Sequence, residues 1–128
     1  MYECEKCKDN GFIPIVEDGR LVAVECSCRK ERSARLRLKN SDIPARMLEI
    51  GFREFDCKGN GALQNAKDLA VTYYKCFRHI ESSRNNSLIL CGQSGAGKTH
   101  LGMAICNNLL NNLKVGVVYM AYRNAVTR

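Results

Sequence analysis

Nowhere in this 128-residue chain does an apolar run approach the roughly 20 residues that a membrane span requires. The opening stretch, "MYECEKCKDN", is polar from its first residue. A secretory signal peptide is therefore not expected, and the cytoplasm is the expected compartment. Internal repeats and low-complexity tracts are absent, which excludes solenoid and repetitive architectures. The guanine-reading pattern Asn-Lys-x-Asp is also missing. What is present, 45% hydrophobic and 26% charged residues, is the composition of a globular protein. The length allows one ordinary domain or two small ones.

Cysteine is abundant, with eight residues in two groups. Cys4, Cys7, Cys26 and Cys28 form a tight cluster, which suggests a metal. Cys57, Cys76, Cys91 and Cys106 are scattered, as small buried hydrophobes are. A disulfide framework is not expected in a chain without an export signal, because reducing compartments disfavour it. Charge is uneven too. "RKERSARLRLK", Arg29 to Lys39, holds six basic residues against Glu31 alone and supplies five of the seven net positive charges. Polyanions are plausible partners for such a segment, with Arg32, Arg35 and Lys39 as phosphate contacts; a solvated helix face is the alternative.

The pattern changes four times along the chain. "GFIPIV" and "RLVAVEC" flank Asp18-Gly19, a two-residue hairpin signal. Residues 29 to about 40 read as a basic helix. Pro44 disfavours helical geometry at Ile43, so a short helix is expected to restart at Pro44 with Ser41 or Asp42 near its cap. "GFREFDCKGNG", Gly51 to Gly61, reads as a linker. Over 62–80, Ala66, Ala70, Tyr73, Phe77 and Ile80 recur at steps of 4, 3, 4 and 3 and make one apolar stripe of a helix. "SLILC" reads as a buried parallel strand. Leu101, Ile105 and Leu109 mark a helix running to about Asn112, and "KVGVVYMA" is expected to be the next strand. The order is that of a βαβ unit.

Between the first of those strands and its helix lies "GQSGAGKTH". Gly92-x-x-x-x-Gly97-Lys98-Thr99 fits the P-loop pattern in full. Glycines let the backbone curl so that successive amides face phosphate oxygens, and the ensuing helix adds its positive end. The predicted cofactor-binding residues are Gly92, Gln93, Ser94, Gly95, Ala96, Gly97, Lys98 and Thr99. Lys98, also the expected catalytic residue, would reach the β- and γ-phosphates, and Thr99 would ligate Mg²⁺. The motif does not choose the base; with no guanine reader, ATP is the expected nucleotide.

In the hairpin, paired residue numbers sum to 37 if Asp18-Gly19 is the turn. Cys26 then lies opposite Gly11 and Cys28 opposite Asp9, beside the Cys4-x-x-Cys7 knuckle. Four thiolates there make a closed, structural Zn²⁺ site. A hairpin this small has too little core to be stable alone, so the metal would supply most of its folding energy. Cys26-x-Cys28 is one residue tighter than the usual knuckle, which leaves open a redox pair or unligated thiols. His79 and His100 read as helix and P-loop residues rather than ligands.

Together these pieces resemble bacterial and phage replicative helicase loaders of the DnaC/DnaI type, close relatives of the IstB-like transposition ATPases. The residues that carry the likeness are "CEKCKDNGFI", "ECSCRKER", "SDIPARM", "GFREFD" and "SLILCGQSGAGKTHLGMAICNNLL". The resemblance implies a fold of mixed α+β and α/β class: a small zinc-bound β-hairpin module with helices over 1–50, a linker over 51–61, and the first βαβ part of an AAA+ ATPase domain over 62–128. It also implies docking on a DnaB-type helicase, binding of ATP and single-stranded DNA, no membrane, and homo-oligomers in the full-length form. An AAA+ ATPase needs an acidic Walker B strand, a sensor and an arginine finger. No Asp or Glu follows Glu81, so the chain reads as an N-terminal portion with negligible turnover. Two other readings stand beside this one: a non-catalytic zinc interaction module with a vestigial P-loop, and, more weakly, a small P-loop kinase.

Overall fold

The computed structural model describes residues 1–126. Strands β1 (Phe12–Glu17) and β2 (Arg20–Glu25) pair antiparallel in the expected register, Phe12 with Glu25 through Glu17 with Arg20. Asp18 and Gly19 both take positive φ, 51° and 75°, as a two-residue turn of this hand requires. The amide of Cys26 extends the ladder by one bond to the Gly11 carbonyl, at 2.9 Å. The chain then turns straight into helix α1 (Ser27–Asn40).

Ser41 closes that helix. Its hydroxyl donates to the Leu38 carbonyl at 2.6 Å, its amide bonds the same carbonyl, and its own carbonyl accepts from the Tyr119 amide at 2.7 Å. The expected short helix at Pro44 is present as a single 3-10 turn, and it is the cap at Ser41 or Asp42 that is corrected. Ser41 belongs to the helix that ends, Asp42 sits at φ 53°, and Pro44 leads only into one 3-10 turn, Ala45–Met47. Three residues give a single turn too little hydrogen bonding to propagate.

Helix α2 (Gly61–Ile80) opens on Asn60, whose side chain accepts from the amides of Ala62 and Leu63. Its predicted stripe is the buried face: Ala66, Ala70, Tyr73 and Phe77 pack against Leu101, Ile105 and Leu109. Those last three belong to α3 (Lys98–Asn111), whose opposite side holds Met103 and Leu110 against Ile43, Met47, Leu48 and Ile50. α3 is thus enclosed from two directions, and each of its buried leucines contributes roughly 1.5–3 kcal/mol. The stretch read as a linker is part of this core, since Phe55 is 7% exposed within the first cluster. A fourth, short helix, α4 (Tyr122–Val126), ends the described chain.

The expected strands at 87–91 and 114–121 do not form. Among the described residues the one sheet is β1–β2, so the βαβ unit is present as sequence order without strand pairing. Both segments run without regular structure, and Leu90, Val115, Val117 and Tyr119 turn onto the clusters around α3. In 115–120 half-buried and exposed residues alternate, the period of a strand. A parallel strand is defined by a neighbouring strand that accepts its amides in a ladder, and no described segment pairs with either stretch in that way. No described helix is long and apolar enough to cross a membrane.

Candidate nucleotide loop and metal centre

The metal centre is built at the corner where hairpin meets helix. Cys4 and Cys7 lie on an N-terminal knuckle turned by Lys8 and Asp9 in the left-handed region, at φ 49° and 68°. Cys26 is the residue before α1 and Cys28 lies in its first turn. The helical turn folds the tight Cys26-x-Cys28 pair back on itself, so both thiols reach the knuckle. Cys4 Sγ is 3.7 Å from Cys26 Sγ, Cys7 Sγ is 3.4 Å from Cys28 Sγ, and all four sulfurs lie within 4.8 Å of one another. Sulfurs on a tetrahedron around Zn²⁺, with bonds of about 2.3 Å, are about 3.8 Å apart. The donor set fits zinc, and Cys7 and Cys26 are buried as a structural site requires.

The protons on these thiols are unevenly held. A hydrogen bond from the Cys7 amide lowers the Cys4 thiol to about 7, while burial, reinforced by thiol contacts, pushes Cys28 up. Asp9 organises the knuckle from outside. Its carboxylate accepts from the amides of Glu3 (3.2 Å) and Cys4 (3.0 Å) and pairs with Arg32 of α1. The Cys4 amide and that guanidinium together hold the Asp9 carboxyl below the usual carboxylate range. Arg32, expected as a phosphate contact, pairs with Asp9 and Glu3. Lys30, Arg35 and Lys39 remain exposed on the same helix.

The glycine loop leads into α3 as its sequence requires. Gly97 is the residue before the helix, with φ 94°, and Gly95 has φ 79°; both are conformations that L side chains rarely adopt. Gly97 has a second constraint, because a Cβ there would meet Phe55 Cε2 at 2.5 Å. The Lys98 ammonium crosses the loop and donates to the carbonyls of Gly92 (2.9 Å) and Gln93 (2.5 Å). The Ala96 amide bonds Gln93 O at 3.2 Å. Lys98, Thr99 and His100 form the first turn, where amides have no acceptor within the helix and are available to an anion. Thr99 is exposed, with its hydroxyl available to a hard cation.

Two residues of α3 outside the predicted binding set make contacts with distant segments. His100 Nε2 lies 2.9 Å from the Gly51 carbonyl, and its ring meets Phe55 edge-on, with centroids 5.4 Å apart at 68°. Asn107, two turns further along α3 and 5% exposed, donates to the carbonyls of Met47 (2.8 Å) and Ile50 (2.9 Å). A histidine directly after Gly-Lys-Thr and an asparagine among apolar helix positions were the available signals, though neither names its partner. His79 is exposed on α2.

Comparison with known proteins bears on both centres. The family model described as IstB-like ATP binding protein matches residues 8–125, which include the loop and, of the four clustered cysteines, Cys26 and Cys28. Phage-like element PBSX protein XkdC of Bacillus subtilis (strain 168) is 35% identical over 127 residues, covering 98% of this chain and 48% of that protein. The uncharacterized protein YqaM of the same organism is 39% identical over 100 residues, 77% of this chain and 32% of its own length. The chain spans about half the length of the first of these relatives. No solved structure matches it at comparable significance.

Proposed function

This chain belongs to the IstB-like ATP binding protein family, and from that premise we propose that it is the ATP-binding portion of a replicative helicase loader. The observation that carries the reading is that the basic helix which follows the four cysteines packs against the helix that the glycine loop opens. Ser41, at the end of α1, bonds Tyr119, and Ile43 packs on Met103 and Leu110. In this reading the amides of Gly95 to Thr99 and the Lys98 ammonium hold the phosphates of ATP, with Lys98 exchanging its two carbonyl acceptors for phosphate oxygens. Thr99 holds Mg²⁺. Cys4, Cys7, Cys26 and Cys28 hold one structural Zn²⁺. The hairpin module, residues 1–50, docks a DnaB-type helicase in the cytoplasm, and single-stranded DNA and further copies of the loader complete the assembly.

Calorimetric titration with ATP and Mg²⁺ tests the nucleotide part: binding is expected in the wild-type chain and not in Lys98→Ala. Retention of a DnaB-type helicase or of single-stranded DNA tests the loader part, and absence of both removes it. Salt separates the two contacts. DNA held by Lys30, Arg35 and Lys39 weakens steeply as salt rises through counterion release, whereas a contact through the hairpin and Leu36 changes little. A second reading, an interaction module whose P-loop is vestigial, draws on the exposure of Val16 (72%) and Leu21 (77%) at the hairpin tip. It predicts partner binding with no calorimetric signal from ATP.

A further inference from the structure

Helix α3 does more than present the loop to an anion, because its side chains also grip the segment that arrives from the cysteine module. A carbonyl only accepts, so His100 donates Nε2–H to Gly51 O. Seven residues on, which is two helical turns and therefore the same face, Asn107 donates to Met47 O and Ile50 O. Three carbonyls within five residues are thus held by two side chains of one helix. The strap they make continues to Phe55, whose ring edge fills the space beside Gly97 and meets the His100 ring. Gly97 sits between the loop amides and the helix, so the position of Phe55 sets how closely that turn can wind.

We propose that His100 and Phe55 are positioning residues for the nucleotide loop, and that segment 47–56, the last part of the 1–50 module and the start of the next segment, is the strap through which nucleotide at the loop is coupled to the cysteine hairpin and helix α1. The inference rests on the nucleotide-binding reading of the same loop. Its physical content is reciprocal: if the strap holds the loop in its binding shape, phosphate on the loop tightens the strap. His100 acts through Gly51 and Phe55, the residues its ring contacts.

The test combines titration of the full chain by ATP and Mg²⁺ with amide hydrogen exchange. His100→Ala is expected to weaken ATP binding about fivefold, the factor that corresponds to one net hydrogen bond of about 1 kcal/mol. His100→Gln, which keeps a donor, should recover most of that loss, and Phe55→Leu should lose less than Phe55→Ala. In the wild-type chain ATP should slow exchange across 47–56, and in His100→Ala that protection should shrink while ATP is still bound at saturation. A merely structural histidine would change melting temperature without making strap exchange depend on nucleotide. Wild-type affinity in His100→Ala, or exchange over 47–56 that ignores saturating ATP in the wild-type chain, overturns the coupling. Where Lys98→Ala abolishes binding and His100→Ala does not alter it, the coupling alone falls. Where the wild-type chain binds no ATP, the nucleotide reading falls and the strap's role with it. If His100→Ala does not fold, the wild-type exchange experiment and His100→Gln still decide.

Discussion

Arg32 of helix α1 and Asp9 of the cysteine knuckle are paired, and the guanidinium also bonds the Asp9 backbone carbonyl at 3.2 Å. Asp9 in turn accepts the Cys4 amide, so a basic residue of the helix fixes the posture of a candidate metal ligand. Groups that orient ligands in this way commonly change metal affinity by about 10–100-fold when removed. Arg32→Ala and Asp9→Ala should therefore each weaken zinc retention against a chelator by about tenfold or more, with their double variant losing little beyond either one. Competition with a chromophoric zinc chelator reads this out. Independent, additive losses would show that the two side chains do not act on the knuckle together.

The purified chain should contain one zinc per molecule. Cys4→Ser or Cys28→Ser should release it and unfold residues 1–28 while leaving α2 and α3 formed, because those helices pack on each other through Leu101, Ile105 and Ala70 without the cysteines. Metal analysis under reducing conditions, with circular dichroism of the variants, checks both halves. Zinc-free wild-type protein would refute the site.

The four scattered thiols should divide by exposure. Cys76 and Cys91 are exposed, whereas Cys106 is half-buried and burial raises its thiol above the ordinary value. A raised value means less thiolate at a given pH, and the thiolate is the nucleophile. Alkylation at mildly basic pH, mapped by mass spectrometry, should mark Cys76 and Cys91 early and Cys106 last. Early labelling of Cys106 would contradict its packing beside Met103 and Leu110.

Gly97→Ala should destabilise the chain by about 1–3 kcal/mol, from a non-glycine residue in the left-handed region and from the clash with Phe55. Adding Phe55→Leu should return part of that cost, since the smaller ring-free side chain vacates the contact. Urea denaturation of the single and double variants measures it. Strict additivity would mean that Gly97 and Phe55 do not meet in solution.

Local signals in the sequence were legible in proportion to how locally their physics closes. Asp18-Gly19 specifies its own turn, and a turn of two residues fixes the register, so the hairpin and Cys26 opposite Gly11 could be read from spacing, whereas Cys28 reaches the knuckle from the first turn of α1 and not from a strand position opposite Asp9. The 4-3-4-3 spacing from Ala66 to Ile80 needs only an apolar surface, which Leu101 and Ile105 provide. Contacts between distant segments were not legible. Phe55 beside Gly97, His100 on Gly51, Asn107 on Met47 and Ile50, and Arg32 on Asp9 each join residues 23 to 60 positions apart or pair a side chain with a backbone carbonyl, for which composition has no code. The strands at 87–91 and 114–121 failed for the complementary reason. The alternation over 115–120 is real, as Val115, Val117 and Tyr119 turned inward show, but pairing belongs to a neighbour rather than to the segment itself.

Helix α1 begins against the rule for its own dipole. Its first turn has no acidic residue and no side-chain cap, and it carries Arg29 and Lys30, with Arg32 just beyond, at the end where cations are least welcome. A divalent ion held by four thiolates leaves a net charge of about −2 at that same end. Loaded with zinc, the cysteine centre would thereby act as an anionic counterweight to a polycationic helix. Stripping the ion and protonating the thiols would remove that charge and leave only the carboxylates of Glu3, Asp9, Glu25 and Glu31 to offset the arginines and lysines at that end.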